Sequence, residues 1–151
     1  MQQRHQELSA GFNALTHRAV GAAIAVHRVL GPGLLETAYS VCLAHELRKI
    51  GLDIQTEVPL PVVYDGLKLD AGYRLDMLVE GCLVVELKSV DAVARVHEAQ
   101  VLTYMKLAHL PVGLLINFNV EVLATGIKRF KLAEFASNHP KFFSGPSGPL
   151  E

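Results

Sequence analysis

The stretch Gly81–Val90, GCLVVELKSV, limits the possible folds most sharply, because a run apolar enough for a buried strand carries Glu86 and Lys88 two residues apart. Alternate residues of a strand share a face, so Glu86 and Lys88 project one way while Leu83, Val85 and Leu87 project the other. One face is greasy and the other is charged. Such a strand packs its apolar face on a core and turns its charged face to a site or to water.

The neighbouring segments supply the rest of a domain. From about Asn13 to Leu30, the residues Leu15, Ala19, Ala22, Ala23, Val26 and Leu30 recur at helical spacing, and Gly31-Pro32 ends the run. A second helix is expected from about Leu35 to Ile50, closed by Gly51. IQTEVPLPVVY, LKLDAGYRLDMLVE and CLVVELKSV then read as three antiparallel strands divided by Asp65-Gly66 and Glu80-Gly81. Pro59 and Pro61 place the first of them at an edge, since proline cannot donate to a ladder. Asp91 is placed to cap a helix from about Ala92 to Leu110. VGLLINFN and VLATGIKRF read as two further strands, and a short helix near Lys131–Ser137 closes the fold. The expected class is α/β (α+β), in the order ααβββαββα.

With 151 residues, half of them hydrophobic and 19% charged, the chain is long enough for one core and too apolar for a disordered polymer. It carries no repeat and no linker, so residues 1–138 are expected to form one domain, with 139–151, rich in Gly, Pro and Ser, as a disordered tail. The formal net charge of −1 excludes a grossly basic nucleic-acid binder but permits a local basic face. Cys42 and Cys82 give neither a disulfide framework nor a CxxC metal pair, and the apolar helical run Ala19–Val26 is too short to span a bilayer. A soluble, cytoplasmic protein with no membrane partner is expected.

Asp76 lies on the strand before Glu86, and the connecting loop decides whether the two meet. A three-residue loop, Glu80–Cys82, sets Asp76 opposite Glu86 and Arg74 opposite Lys88 on one face. A two-residue loop, Glu80-Gly81, sets Asp76 opposite Val85 and separates the carboxylates. Directly opposed carboxylates repel, so a cation between them is needed. A hard divalent ion suits Asp76, Glu86, a backbone carbonyl and waters, and Mg²⁺ characteristically keeps several waters. Lys88, further along the same face, is placed to hold water and stabilise charge on a phosphate. On the following helix His97, Gln100 and Tyr104 share a side with Val93 and Leu107, so polar groups interrupt a face that packs on the sheet.

Asp76, then Glu86-Leu87-Lys88, then Gln100-x-x-x-Tyr104, resembles the PD-(D/E)XK nuclease superfamily with its QxxxY helix. GLLETAY (Gly33–Tyr39), HRVLGPG and LLINFN resemble the small bacterial GxxExxY protein family, and the likeness runs from about Leu15 to Lys131. This resemblance implies a restriction-endonuclease-like core, a mixed sheet flanked by helices. It also implies hydrolysis of nucleic-acid phosphodiester bonds, DNA favoured, by a metal-bound water with Mg²⁺, or Mn²⁺ in its place. Carried over by residue, Asp76 and Glu86 are the metal ligands, Lys88 is the catalytic lysine, and Glu36 is the carboxylate of the first conserved helix. Gln100 and Tyr104 correspond to the helix pair of the recombination-type nucleases. Leu75-Asp76 stands where the superfamily motif reads Pro-Asp. A short chain of near-zero charge grips a duplex poorly alone, and its apolar content is compatible with a homodimer.

Other readings stand beside this one. The same fold can serve as a non-catalytic module binding nucleic acid or protein, or as a metal-dependent phosphoesterase acting on a small substrate. Glu86 and Lys88 alone can form an ordinary ion pair on a wet face. Glu36 suits a helix N-terminus with or without a metal. Tyr39 reads more readily as a core aromatic, and His97 as a hydrogen-bonded structural residue. Lys128, Arg129 and Lys131 form the strongest basic cluster, which also reads as a solvated strand edge. His17, His27, His45 and His109 lack ligand spacing.

Overall fold

The computed structural model describes residues 2–139, with side chains from Gly11 onward. The expected tail therefore lies, but for His139, outside the described residues. Helices α1 (Gln2–Leu30) and α2 (Glu36–Lys49) open the chain. The first begins well before Asn13, because its leading residues are mostly polar helix formers and carry no apolar period to read. Leu15, Ala19, Ala23 and Val26 of α1 and Tyr39, Leu43 and Leu47 of α2 are buried in one apolar layer.

The remaining elements are β1 (Ile54–Pro59), β2 (Val62–Tyr64), β3 (Leu67–Leu69), β4 (Arg74–Val79), β5 (Leu83–Lys88), α3 (Arg95–Ala108), β6 (Val112–Asn117) and β7 (Ile127–Lys131). A 3-10 turn (Leu123–Gly126) precedes β7, and another (Ala133–Asn138) stands where a short closing helix was expected. Five strands form a sheet in the order β1-β4-β5-β6-β7, while β2 and β3 form a separate hairpin. The three strands expected between Ile54 and Lys88 are thus five. Pro59 and Pro61 interrupt the first, and Gly72 (φ 78°) interrupts the second, so each of those long apolar runs breaks in two. Asp65 and Gly66 do turn the hairpin between β2 and β3, both at positive φ.

The central strand β5 pairs antiparallel with β4 and parallel with β6. The parallel pair needs a crossover, which α3 provides. Helices therefore cover both faces of the sheet. Leu83, Val85 and Leu87 join the α1/α2 layer, whereas Val84 joins Val101, Tyr104, Met105 and Leu115 in a second apolar layer under α3. Glu86 alternates with Val85 and Leu87 and so lies on the α3 side. Gly113 of β6 allows the close approach of that helix: a Cβ there would sit 2.7 Å from the Met105 sulfur and 3.2 Å from Val101 and Val84.

Asp91 does not cap α3. The helix begins later, at Arg95, and the amide of its N-cap Ala94 donates to Nδ1 of His97 at 3.1 Å. His97 is thereby committed to a structural contact. No helix among the described residues is long and apolar enough to cross a membrane.

Candidate active site

The pairs Met77–Val85, Leu78–Val84 and Val79–Leu83 make the β4–β5 connection a three-residue loop. Glu80 and Gly81 turn it at φ 53° and 67°, and the Cys82 amide donates to the Val79 carbonyl. Continuing that register brings Asp76 across from Glu86, whereas no pairing of Arg74 with Lys88 continues the ladder. The alternative two-residue register is excluded.

Regular pairing nevertheless fails at Asp76 on both sides. The β4–β5 ladder ends at Met77–Val85, and the β1–β4 ladder skips Glu57–Asp76, where Glu57 takes φ 51°. Leu75 and Met77, two residues apart, accordingly lie in opposite apolar layers, Leu75 under α3 and Met77 under α1/α2. The strand turns over at Asp76. Side chains replace the missing ladder: the Asp76 amide donates to Glu86 Oε1 at 3.0 Å, and the Leu87 amide donates to Asp76 Oδ2 at 2.9 Å. Backbone donors removed from a ladder need such acceptors when shielded from water.

Glu86 is only 6% exposed. Burial first, and then the charge of Asp76, push its carboxyl up to about 9, against a weaker opposing pull from Lys88. Lys88 is half-buried, and its ammonium makes no hydrogen bond or ion pair among the described residues. The protein's own cations therefore leave this carboxylate pair undercompensated. The residues fit a hard divalent cation, with two close oxygen donors of unsatisfied charge. Among the described residues no third His, Cys, Asp or Glu closes a metal cage.

From α3, Gln100 donates through Nε2 to the Tyr104 hydroxyl at 2.8 Å. Tyr104 is buried, and its hydroxyl is held above the usual tyrosine range by burial and then by the Glu86 charge. It stays a protonated donor beside the carboxylates. Tyr73, which the sequence reading passed over, packs its ring 6.1 Å from that of Tyr104. Its membership had no local signal, because it comes from the chain returning through the β2–β3 hairpin.

Glu36 is exposed in the first turn of α2, without a contact to Asp76 or Glu86 among the described residues. Its approach loop is fixed from two directions. The buried Tyr39 hydroxyl donates to the Gly31 carbonyl at 2.6 Å and accepts from the Leu34 amide at 3.1 Å, while its ring stacks on Phe118 at 4.4 Å. Ser89, next to Lys88, donates to the Leu34 carbonyl at 2.6 Å. Asn117, buried and also absent from the expected site, clasps Val90: its Nδ2 donates to the Val90 carbonyl and its Oδ1 accepts the Val90 amide. These contacts tie the loop before α2 and the segment after Lys88 to the same end of the sheet.

A model of the PD-(D/E)XK nuclease superfamily matches residues 13–130, most of the chain. The chain belongs to that superfamily. Neither curated proteins nor solved structures give a match. PD-(D/E)XK proteins are generally nucleases that use divalent metal ions, and the matched span contains Glu36, Asp76, Glu86, Lys88, Gln100 and Tyr104. The basic cluster on β7 lies apart from these residues in its contacts: Lys128 pairs with Glu98, and Arg129 bonds to Asn13 and Thr16. Lys128 and Arg129 serve this chain's own packing.

Proposed function

We propose that this PD-(D/E)XK protein is a Mg²⁺-dependent nuclease that hydrolyses phosphodiester bonds of nucleic acid, with DNA the favoured substrate. The observation that carries the reading is the opposed pair Asp76 and Glu86, each accepting a backbone amide from the other strand at the point where the ladder opens. Asp76 and Glu86 would hold the ion, with Mn²⁺ able to replace Mg²⁺. When bound, the cation would lower the pKa of water and offset charge on the phosphate.

Lys88, whose ammonium has no hydrogen bond or ion pair among the described residues, is placed to donate to a phosphate oxygen and to orient the attacking water. Tyr104 keeps its proton and can donate, with Gln100 fixing the direction of its hydroxyl. Glu36 has no internal hydrogen-bond partner among the described residues, and its loop is anchored beside Ser89. That favours a role for Glu36 toward the substrate or a water rather than in holding the fold. The preference for DNA rests on the likeness of the Gln100/Tyr104 pair to that of the recombination-type nucleases. The GxxExxY resemblance rests on Gly33, Glu36 and Tyr39. A homodimer acting in the cytoplasm completes the proposal, since a net charge of −1 gives one chain little electrostatic hold on a duplex.

The test is cleavage of labelled single- and double-stranded DNA and RNA with Mg²⁺ or Mn²⁺, comparing the native protein with Lys88→Ala. The proposal expects metal-dependent cleavage that Lys88→Ala reduces by at least a hundredfold, with an unchanged melting temperature. Cleavage equal in the two proteins would remove Lys88 from the reaction. No cleavage of any nucleic acid would favour the non-catalytic module.

A further inference from the structure

Tyr73 is an exposed aromatic in contact with this site. The residue is 44% exposed, yet it is not loose. The Leu60 amide donates to its carbonyl at 2.9 Å, and its ring meets that of Tyr104 at a centroid distance of 6.1 Å and an angle of 56°. Tyr104 is itself held by Gln100 and lies within the field of Glu86. Tyr73 thus braces one side against the site and leaves aromatic surface open to solvent.

Arg74, its neighbour at the start of β4, is exposed. Its Nη1 donates to the Tyr73 carbonyl at 3.4 Å, which ties the guanidinium to the backbone of the same segment. No carboxylate pairs with Arg74 among the described residues. An aromatic ring braced on Tyr104 and a guanidinium with no carboxylate partner among the described residues therefore stand on adjacent exposed residues. Aromatic side chains gain by stacking on bases, and arginine matches a phosphate in charge and geometry.

We infer that Tyr73 and Arg74 form the substrate lip of the site, where Tyr73 stacks a nucleobase and Arg74 holds the adjoining phosphodiester of a single-stranded segment. The inference rests on the nuclease reading and narrows its substrate. Inside a duplex both faces of each base are already stacked, so only a single strand or an opened end offers a free face to Tyr73. Arg74 alone would serve any strand. The aromatic ring is what confers the choice.

The experiment is fluorescence anisotropy of a labelled single-stranded oligonucleotide and of a blunt duplex, with Ca²⁺ in place of Mg²⁺. Native protein is compared with Tyr73→Ala, Tyr73→Leu and Tyr73→Phe, all checked for unchanged melting. Stacking predicts that Tyr73→Ala and Tyr73→Leu weaken single-strand binding by on the order of tenfold, that Tyr73→Phe restores it, and that duplex binding shifts little. Full binding by Tyr73→Leu would show that the residue only fills space against Tyr104 and would overturn the inference. So would an equal loss on the duplex, or a native protein that binds neither. Metal-dependent cleavage compared between the native protein and Lys88→Ala tests the nuclease reading separately, because Lys88 makes no contact with the Tyr73 ring.

Discussion

Asp76 and Glu86 each lend a carboxylate oxygen to a backbone amide of the other's strand, at 2.9 Å and 3.0 Å respectively. The contact joins two properties that pull against each other. It fixes both carboxyl groups where regular pairing fails, and it holds the buried Glu86 carboxyl against a second acid, Asp76.

The first consequence is a stability that depends on pH. Glu86 is pushed from 4.5 up to about 9 by burial and by Asp76, so the folded chain keeps a proton that the unfolded chain releases. A carboxyl raised in this way stabilises the fold fully below about pH 4.5, and its contribution is lost as pH rises toward 9. Without divalent ions, denaturation free energy should fall as pH rises from 5 to 9 because of this group. Glu86→Gln should flatten the profile and raise the melting temperature at pH 8. A Glu86→Gln profile as steep as the native one would place the dependence on another group.

Tyr39 should matter for stability rather than for chemistry. Its hydroxyl bonds to both the Gly31 carbonyl and the Leu34 amide. Tyr39→Phe removes these while keeping the stack on Phe118, so urea denaturation should show a loss of about 1–3 kcal/mol. Any cleavage activity should fall less than it does for Lys88→Ala. A variant of native stability would mean that the loop before α2 is held by Ser89 alone.

The position of α3 is the third point open to test. Gly113→Ala places a methyl group 2.7 Å from the Met105 sulfur, with β-branched Val101 and Val84 at 3.2 Å. Overpacking of this kind should cost about 1–3 kcal/mol. Because Gln100 and Tyr104 ride on the displaced helix, cleavage should fall more than stability implies, measured at a temperature where the variant remains folded. Full activity in a destabilised variant would separate the helix from the reaction.

How far the sequence could be read depended on the range of the forces involved. Glu86 and Lys88 were visible because a period of two is local, and Asp76 because the superfamily pattern includes it. Whether Asp76 faced Glu86 was open between two loops until Cys82 proved to belong to the turn. Asp91 suited a cap by type and position, yet His97 at the third helical position satisfies the Ala94 amide, the return half of a capping box that Glu or Gln usually makes. The β2–β3 hairpin was merged into its neighbours because apolar content continues across Pro59–Pro61 and Gly72. Tyr73 and Asn117 carry no distinguishing pattern, since their roles arise only when Tyr104 and Val90, distant along the chain, are brought beside them.

The central claim is that Asp76 and Glu86 share one divalent ion, and titration calorimetry with Mg²⁺ and Mn²⁺ tests it most directly. Native protein, Asp76→Asn and Glu86→Gln are compared, each with and without a single-stranded oligonucleotide made resistant to cleavage. The account predicts binding by the native protein, tightened by the oligonucleotide and abolished by either substitution. Binding that survives in both variants, or none by the native protein even with the oligonucleotide, would contradict it.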